Sequence, residues 1–468
     1  MRKNKKYPLL TNVQVSGYAA GGKALARVDG KVIFITGAVP GDVVNVQLIK
    51  NKKDWGEGFV AQVIEYSKDR TVPFCEHFGV CGGCKWQMLP YEKQLEYKQQ
   101  EVEETLIRIG KAVLPKVMPI LGSSETIHYR NKLEFTFSDR RYLTREEVKN
   151  THTNSFENAL GYHAPQIFDK VIDIRTCWLM DDVNNRVRNT VRSFALAHNL
   201  SFYNIRQHTG WLRNLMIRHC TTGELMVNLC INYRDDEALK LLFDHLLLEI
   251  PEITTLLYTI NTKWNDSIYD LEPQVYFGRG YVTEKLGDFS FIISPKSFFQ
   301  TNTKQAEVLY RVVQEFTGLT GVETVYDLYC GTGSIGIFLS KQAGRIVGVE
   351  TVAEAVEDAK KNAALNGIEH AEFFCGDVID ICNSTFFNAH GFPDIIITDP
   401  PRAGMHEKLV LKLLEISAPK IVYVSCNVAT QARDIALLLD KYQVEKVQPL
   451  DMFPHTHHIE SVVLLTLR

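Results

Sequence analysis

The chain is 468 residues long, enough for about two to four domains. With 45% hydrophobic and 23% charged residues it is not a wholly disordered protein. It holds no apolar run of about 18 residues, and its basic start, MRKNKKYPLL, leads into no long apolar core. No membrane span or signal peptide is therefore expected, and the cytoplasm is the expected location. There, ten cysteines are expected to be reduced, metal-bound or catalytic rather than paired. A net charge of -3 does not advertise nucleic-acid binding, but distribution matters more than the total.

The first 66 residues carry ten Lys/Arg against five Asp/Glu. Short β-prone runs cover 13–17, 24–28, 31–36, 43–49 and 58–66, with Gly21, Gly22, Asp29, Gly30, Pro40 and Gly41 among the turn residues between them. Five short strands with a basic surface predict a small barrel of the oligonucleotide-binding (OB) kind. The plainer alternative is an accessory barrel without a ligand. The run GYAAGGKALARVDGKVIFITGAVPGDVV resembles a TRAM domain, a small RNA-binding barrel attached to RNA-modifying enzymes. That resemblance implies RNA delivery by residues 1–68; the charge count only permits it.

Cys75, Cys81 and Cys84 follow within ten residues, with Gly82 and Gly83 letting the loop curl. Such a loop suits a soft metal, and Cys177 is the best candidate for a fourth ligand. Spacing does not choose zinc over iron–sulfur. Cys220 and Cys230, each alone in an apolar run, are expected in the core. A helix is expected over 91–109, with a partial apolar stripe of Leu95, Val102, Leu106 and Ile109 assigned to packing. Up to residue 300 the pattern is mixed and predicts a central α+β domain over 69–300, rich in antiparallel strands. Its expected elements are strands at 133–137, 215–218, 225–231 and 256–261 and a helix at 184–198. Segment 139–158 is polar and expected as a surface excursion. Tyr129, Arg130, Asn131 and Lys132 form a basic patch, expected as a solvated strand edge.

From 301 to 468 strands and helices alternate. Strands are expected at 324–328, 345–350, 371–375, 395–398, 421–425, 444–450 and 461–465, which predicts an open, doubly wound, Rossmann-like sheet with its ligand beyond the strand C-termini. Tyr329, Glu350, Asp377, Asp399 and Cys426 all fall at such ends. Gly331, Gly333 and Gly336 form a glycine-rich turn, with Glu350 about 20 residues on to reach ribose hydroxyls. Dinucleotide and methyl-donor cofactors both fit that pattern. Asp399, Pro400 and Pro401 tip it toward a methyl donor, because a carboxylate before a stiff Pro-Pro turn is found in methyltransferases acting on nucleic acid. An aromatic residue usually follows when the target is an exocyclic amine; here it is Arg402.

Cys426 lies between Ser425 and Asn427 just past a strand, a better place for a nucleophile than for a core cysteine. His455, His457 and His458 could be a metal cluster, and His458-Ile459-Glu460 matches half of a zinc deaminase signature. The cysteine half is absent, so Glu460 is read as a general base. Together these groups define a reaction. A thiolate adding to C6 of uracil makes C5 nucleophilic, C5 takes the methyl group, and a base removes the C5 proton so that the thiol is expelled. The base must be unstacked, so a single-stranded or flipped-out uridine is expected.

Over essentially its full length the chain resembles the RNA uracil-5-methyltransferase family (TrmA/RumA type). The resemblance rests on Phe298-Phe299-Gln300, the glycine loop, Asp399-Pro400-Pro401-Arg402, Ser425-Cys426-Asn427 and His458-Ile459-Glu460. It implies S-adenosylmethionine held by Gln300, Tyr329, Glu350 and Asp399, with Cys426 as nucleophile and Glu460 as base. Asp377 sits where an adenine contact is common. The resemblance further implies a [4Fe–4S] cluster on Cys75, Cys81, Cys84 and Cys177. A TRAM-like barrel together with cluster cysteines resembles the 23S ribosomal RNA branch, since the tRNA branch is similar in its catalytic half but lacks both. A monomer acting on ribosomal RNA is the resulting expectation. The alternatives are the same chemistry on a tRNA uridine, or a non-catalytic RNA-binding or redox-sensing protein, which the presence of both Cys426 and Glu460 disfavours.

Overall fold

The computed structural model describes residues 7–150 and 157–468. The N-terminal strands are β1 (Leu9–Gln14), β2 (Gly17–Ala19), β3 (Lys23–Val28), β4 (Lys31–Thr36), β5 (Val43–Asn51) and β6 (Trp55–Glu65). They form one sheet in the order β1-β5-β6-β4-β3-β2. The two edge strands are separated in sequence only by Val15 and Ser16, whose N–H groups donate to Asp42 O and Leu25 O at opposite ends of the strand order. The sheet must therefore curl back on itself. Alternating residues fill its inside, including Val13, Ala24, Ala26, Ile33, Ile35, Val44, Val46 and Leu48. The expected first strand is split in two, which is what lets one short segment serve both edges.

Helix α1 (Tyr91–Arg108) turns its buried line, Gln94, Lys98, Val102 and Leu106, toward the C-terminal sheet. Only half of the expected apolar stripe holds. Val102 and Leu106 are buried, at about 1.5–3 kcal/mol each, but Ile109 lies past the helix end and is 46% exposed. Two polar residues continue the line in place of Leu95 and Ile109.

The central region contains β7 (Lys132–Ser138), α2 (Arg145–Asn150), β8 (Ala159–His163), β9 (Val171–Asp173), α3 (Val183–Ala197), β10 (Leu212–His219), β11 (Leu225–Ile231), α4 (Asp236–Glu249), β12 (Ile253–Ile260) and β13 (Gln274–Gly278). Its sheet, in the order β13-β12-β11-β10-β7-β8-β9, is antiparallel except where α4 carries the chain from β11 to a parallel β12. Cys220 and Cys230 are buried as expected. Of the polar 139–158 segment, residues 145–150 are helical and 151–156 lie outside the described residues. The Tyr129–Lys132 patch is not a solvated edge: Tyr129 and Asn131 are buried. These two buried side chains donate to Pro454 O and Gln300 O, residues far away in sequence. A hairpin of β14 (Val282–Leu286) and β15 (Phe289–Ile293) follows and packs into the C-terminal core.

The last region holds α5 (Thr303–Thr317), β16 (Thr324–Leu328), α6 (Ser334–Leu339), β17 (Arg345–Glu350), α7 (Ala353–Leu365), β18 (Ala371–Cys375), α8 (Val378–Ile381), α9 (Ser384–His390), β19 (Ile395–Thr398), α10 (Glu407–Ile416), β20 (Lys420–Ser425), α11 (Val428–Leu438), β21 (Tyr442–Leu450) and β22 (Glu460–Leu467). The sheet order is β18-β17-β16-β19-β20-β22-β21, with β16 to β20 parallel and β22 antiparallel to both neighbours. The strand order reverses between β16 and β19, and the crevice at such a switch point is where open α/β sheets bind ligands. All seven strands expected from sequence are present, within three residues at each end.

Candidate active site

The glycine loop opens at the C-terminal end of β16. Tyr329, Gly331 and Gly333 all adopt positive φ (63°, 53° and 77°). At Gly333 a Cβ would sit 3.0 Å from the Phe373 ring and 3.1 Å from Ala359, so only glycine allows this turn its close approach to β18 and α7. Asp327 Oδ2 accepts the Gly336 N–H at 2.9 Å, while its other carboxyl oxygen is buried without a partner. Burial pushes its pKa up to about 7. Glu350 ends β17 and ties the loop to the start of α7. Its Oε2 accepts from Gly331 N–H at 3.1 Å, and its Oε1 accepts from Val352 N–H at 3.0 Å.

Gln300 lies between the central and C-terminal sheets. Its carbonyl accepts from Asn131 Nδ2 at 2.9 Å, and the same amide donates to Thr303 Oγ1 at 2.8 Å. Asp377 is exposed and caps α8, accepting the Ile379 N–H at 2.9 Å.

The reactive groups gather on the other side of the crevice. Ser425, at the end of β20, pairs with Ser461 of the antiparallel β22. One step beyond that pair on each strand are Cys426 and Glu460, so strand register sets these two positions opposite one another. Asp399 follows the neighbouring β19. Burial pushes the Cys426 thiol up to about 11, helped by the carboxylates of Glu460 and Asp399 and opposed by the Arg402 guanidinium. Glu460 is raised well above the usual carboxylate range by burial and then by Asp399, and Arg402 opposes that shift too. Asp399 is pushed up to about 7 by burial. Cys426 and Glu460 thus both feel the charge of Asp399 and of Arg402. The turn around Cys426 is stitched to Arg402: Asn427 caps α11 with its Oδ1 and donates from Nδ2 to Arg402 O at 2.9 Å. Arg402 Nη2 lies 3.1 Å from His458 Nδ1.

The histidines do not form a metal cluster. His455 meets Gln94 at 3.1 Å, the His457 and His458 rings touch at a tilt of 41°, and burial lowers all three pKa values, to about 4, 4 and 3. Cys75, Cys81, Cys84 and Cys177 line one cavity of about 620 Å³, together with Arg130, Lys132 and Phe298. Burial pushes Cys81 to about 11 and Cys84 to about 12, with Cys177 adding to both shifts. The loop is fixed by Gln87 Oε1, which accepts from Cys75 N–H at 3.2 Å, and by Asn185 Oδ1, which accepts from Cys177 N–H at 2.8 Å. Among the described residues, no three His, Cys, Asp or Glu side chains converge closely enough to hold a single metal ion.

Sequence reasoning missed the residues that hold this site together. Asn131, Gln94, Lys98 and Asp451 are buried polar side chains bridging segments hundreds of residues apart. The one local signal was Gln94 and Lys98 continuing an apolar helix line at four-residue spacing.

A parallel sheet with a switch point, a glycine loop and an acidic residue ending the second strand define a nucleoside-cofactor fold, and the matches to known proteins make it a methyltransferase fold. Residues 304–420 match the methyltransferase small domain, and residues 379–468 match the tRNA (Uracil-5-)-methyltransferase family. A Bacteroides thetaiotaomicron protein described as an uncharacterized RNA methyltransferase is 53% identical over 96% of this chain and 100% of its own length. One from Porphyromonas gingivalis, described likewise, is 48% identical over 97% of this chain and 99% of its own. The crystal structure of Pyrococcus abyssi tRNA (uracil-54, C5)-methyltransferase with S-adenosyl-L-homocysteine superimposes with a TM-score of 0.75, at 26% identity, covering 98% of this chain and 100% of that one. The chain belongs to the RNA uracil-5-methyltransferase family. No helix among the described residues is long and apolar enough to cross a membrane.

Proposed function

We propose that the protein transfers a methyl group from S-adenosylmethionine to C5 of a uridine in 23S ribosomal RNA, through a covalent adduct on Cys426 with Glu460 as general base. The observation that carries this is the Ser425–Ser461 pairing, which sets a thiol and a buried carboxyl side by side next to Asp399. Cys426 adds as thiolate to C6 of the flipped-out uracil, and the electron pair moves to C5. C5 takes the methyl group of the sulfonium, the chemistry the donor supplies when bound. Glu460 then removes the C5 proton, the C5–C6 double bond re-forms and the thiolate leaves. General-base help of this kind is worth roughly 100- to 10,000-fold. The three crowded acids, Asp327, Asp399 and Glu460, are all held toward their neutral forms. A cationic donor beside them favours their ionised forms, and Arg402 does the same for the Cys426 thiolate. Gln300, Tyr329, Glu350 and Asp377 complete the donor side in this reading.

The curled N-terminal sheet is read as an OB-like TRAM barrel that delivers RNA. Its support is the strand order, with β1 and β2 as two halves of one edge segment and β4 running parallel to β6. Cys75, Cys81, Cys84 and Cys177 are read as the holders of a [4Fe–4S] cluster. The support is that all four thiols line one cavity and that Cys177 is near enough to raise the pKa of each of the other three. Such a cluster would pin the 75–84 loop to the start of α3. Iron with visible absorption in anaerobically purified protein tests this; zinc alone overturns it.

A tRNA uridine is the second reading. The P. abyssi structure favours it, because that tRNA enzyme matches nearly the whole chain, N-terminal region included. The N-terminal barrel therefore does not by itself select ribosomal RNA. The deciding experiment is methyl transfer to the two purified RNAs, with 5-methyluridine mapped in ribosomal RNA from cells with and without the gene. Methylation of tRNA alone overturns the first reading. A cytoplasmic monomer is part of the same proposal, and sedimentation of the purified protein tests the monomer.

A further inference from the structure

We infer that Tyr91, Gln94 and Lys98 of α1 are positioning residues for the general base: together with the backbone after Cys84 they clamp the 451–459 loop and so set where Glu460 stands. This rests on the assignment of Glu460 as the base. Two antiparallel strands such as β21 and β22 can be joined by a two-residue turn. Here the connection runs from 451 to 459 and is held along its length. Asp451 is fully buried; its Oδ1 receives Lys98 Nζ at 2.6 Å and its Oδ2 receives the Tyr91 hydroxyl at 2.8 Å. The next four carbonyls are all captured. Met452 O accepts from Asn302, Phe453 O from Thr456 and Lys98, Pro454 O from Tyr129, and His455 O from the N–H groups of Lys85 and Trp86. Gln94 Oε1 accepts the His455 N–H at 2.8 Å, fixing a residue that adopts φ of 64°.

A buried ion pair is often no more stable than an apolar pair of the same shape, so the Lys98–Asp451 bridge is poorly explained by stability alone. What it provides is one geometry for the loop that delivers Glu460 to Cys426. Misplacing a reacting group by about 1 Å can cost about a hundredfold in rate.

The test uses the full-length protein in two variants. Lys98→Met combined with Asp451→Asn removes both charges, and Gln94→Leu releases His455 while leaving no charge buried alone. Both are expected to bind S-adenosylhomocysteine as the parent does, with kcat about a hundredfold lower and KM within about threefold. Addition needs Cys426 and elimination needs the base, so the covalent enzyme–RNA complex should accumulate on denaturing gels. Unchanged kcat, or lost kcat without accumulated complex, overturns the clamp. Glu460→Gln in the parent background is the control; if it accumulates no complex, the base assignment fails first and takes the clamp with it. Hydrogen exchange of the unaltered protein is a second measurement independent of variant folding. The amides of Phe453, His455, Thr456 and His458 should exchange as slowly as those of β22, and fast exchange there overturns the proposal.

Discussion

The two walls of the active-site crevice are built on different principles. On the donor wall, Tyr329, Glu350 and Asp377 sit at the ends of consecutive parallel strands, and their partners are within about one strand–helix unit of them: Gly331 with Glu350, Gly336 with Asp327. On the base wall, Glu460 begins an antiparallel strand, and the loop before it is tied to Tyr91, Gln94 and Lys98, some 360 residues earlier. The donor wall repeats a solution common to open α/β sheets. The other wall depends on a helix and on the backbone just after the cysteine loop, both from the N-terminal part of the chain. In the proposed reading, the strand-end part of the donor site therefore rests on local motif, whereas the position of Glu460 rests on long-range structure.

The largest expected effect breaks the two walls apart. Cys426→Ala should lower methyl transfer by at least about 10,000-fold and abolish the covalent adduct with 5-fluorouridine RNA, while donor binding stays. An adduct that persists would assign the nucleophile to another residue. Next in size is the cost of a half-broken clamp. Lys98→Met alone leaves Asp451 buried without its cation and should destabilise the protein by about 3–5 kcal/mol. Combining it with Asp451→Asn should recover most of that loss in denaturant melts. If the single variant melts like the parent, the pair does not hold the loop.

Charge offers a third, smaller contrast. With the Cys426 thiol near 11, its thiolate fraction in the free enzyme rises about tenfold per pH unit below that value. Alkylation of Cys426 should therefore speed up as pH rises from 7 to 10. Replacing Arg402 with Gln removes the cation that opposes the upward shift and should slow alkylation at every pH in that range. Rate constants measured on peptides containing the labelled cysteine check both. A rate independent of Arg402 would mean that the guanidinium does not act on the sulfur.

Much of this was legible in the sequence because the chemistry of an α/β sheet lies at strand ends, and strand ends are marked locally by apolar runs stopping at Gly, Asp or Cys. The seven C-terminal strands and the places of Tyr329, Glu350, Asp399 and Cys426 follow from that. The Tyr129–Lys132 patch misled because its residues look solvated in sequence, whereas Asn131 is buried by Gln300 and Thr303 arriving from another region. The stripe on α1 misled for the same reason. Ile109 scores as core by composition, yet the partner that matters, Asp451, selects Gln94 and Lys98 instead. Contacts between distant segments leave no periodic trace.

The smallest expected effect concerns Asp377, where the two walls' logics meet in one side chain. Its carboxylate caps α8, a purely local role that asparagine performs about as well. A contact to the donor's adenine is the other role assigned to it. Asp377→Asn keeps the cap and removes the charge, so melting should stay within about 0.5 kcal/mol of the parent. S-adenosylhomocysteine affinity should fall by a few-fold, about the net worth of one ordinary hydrogen bond. Calorimetric titration of both proteins decides it. Unchanged affinity leaves Asp377 as a helix cap alone and confines the donor site to the ends of β16, β17 and β19 and the segment around Gln300.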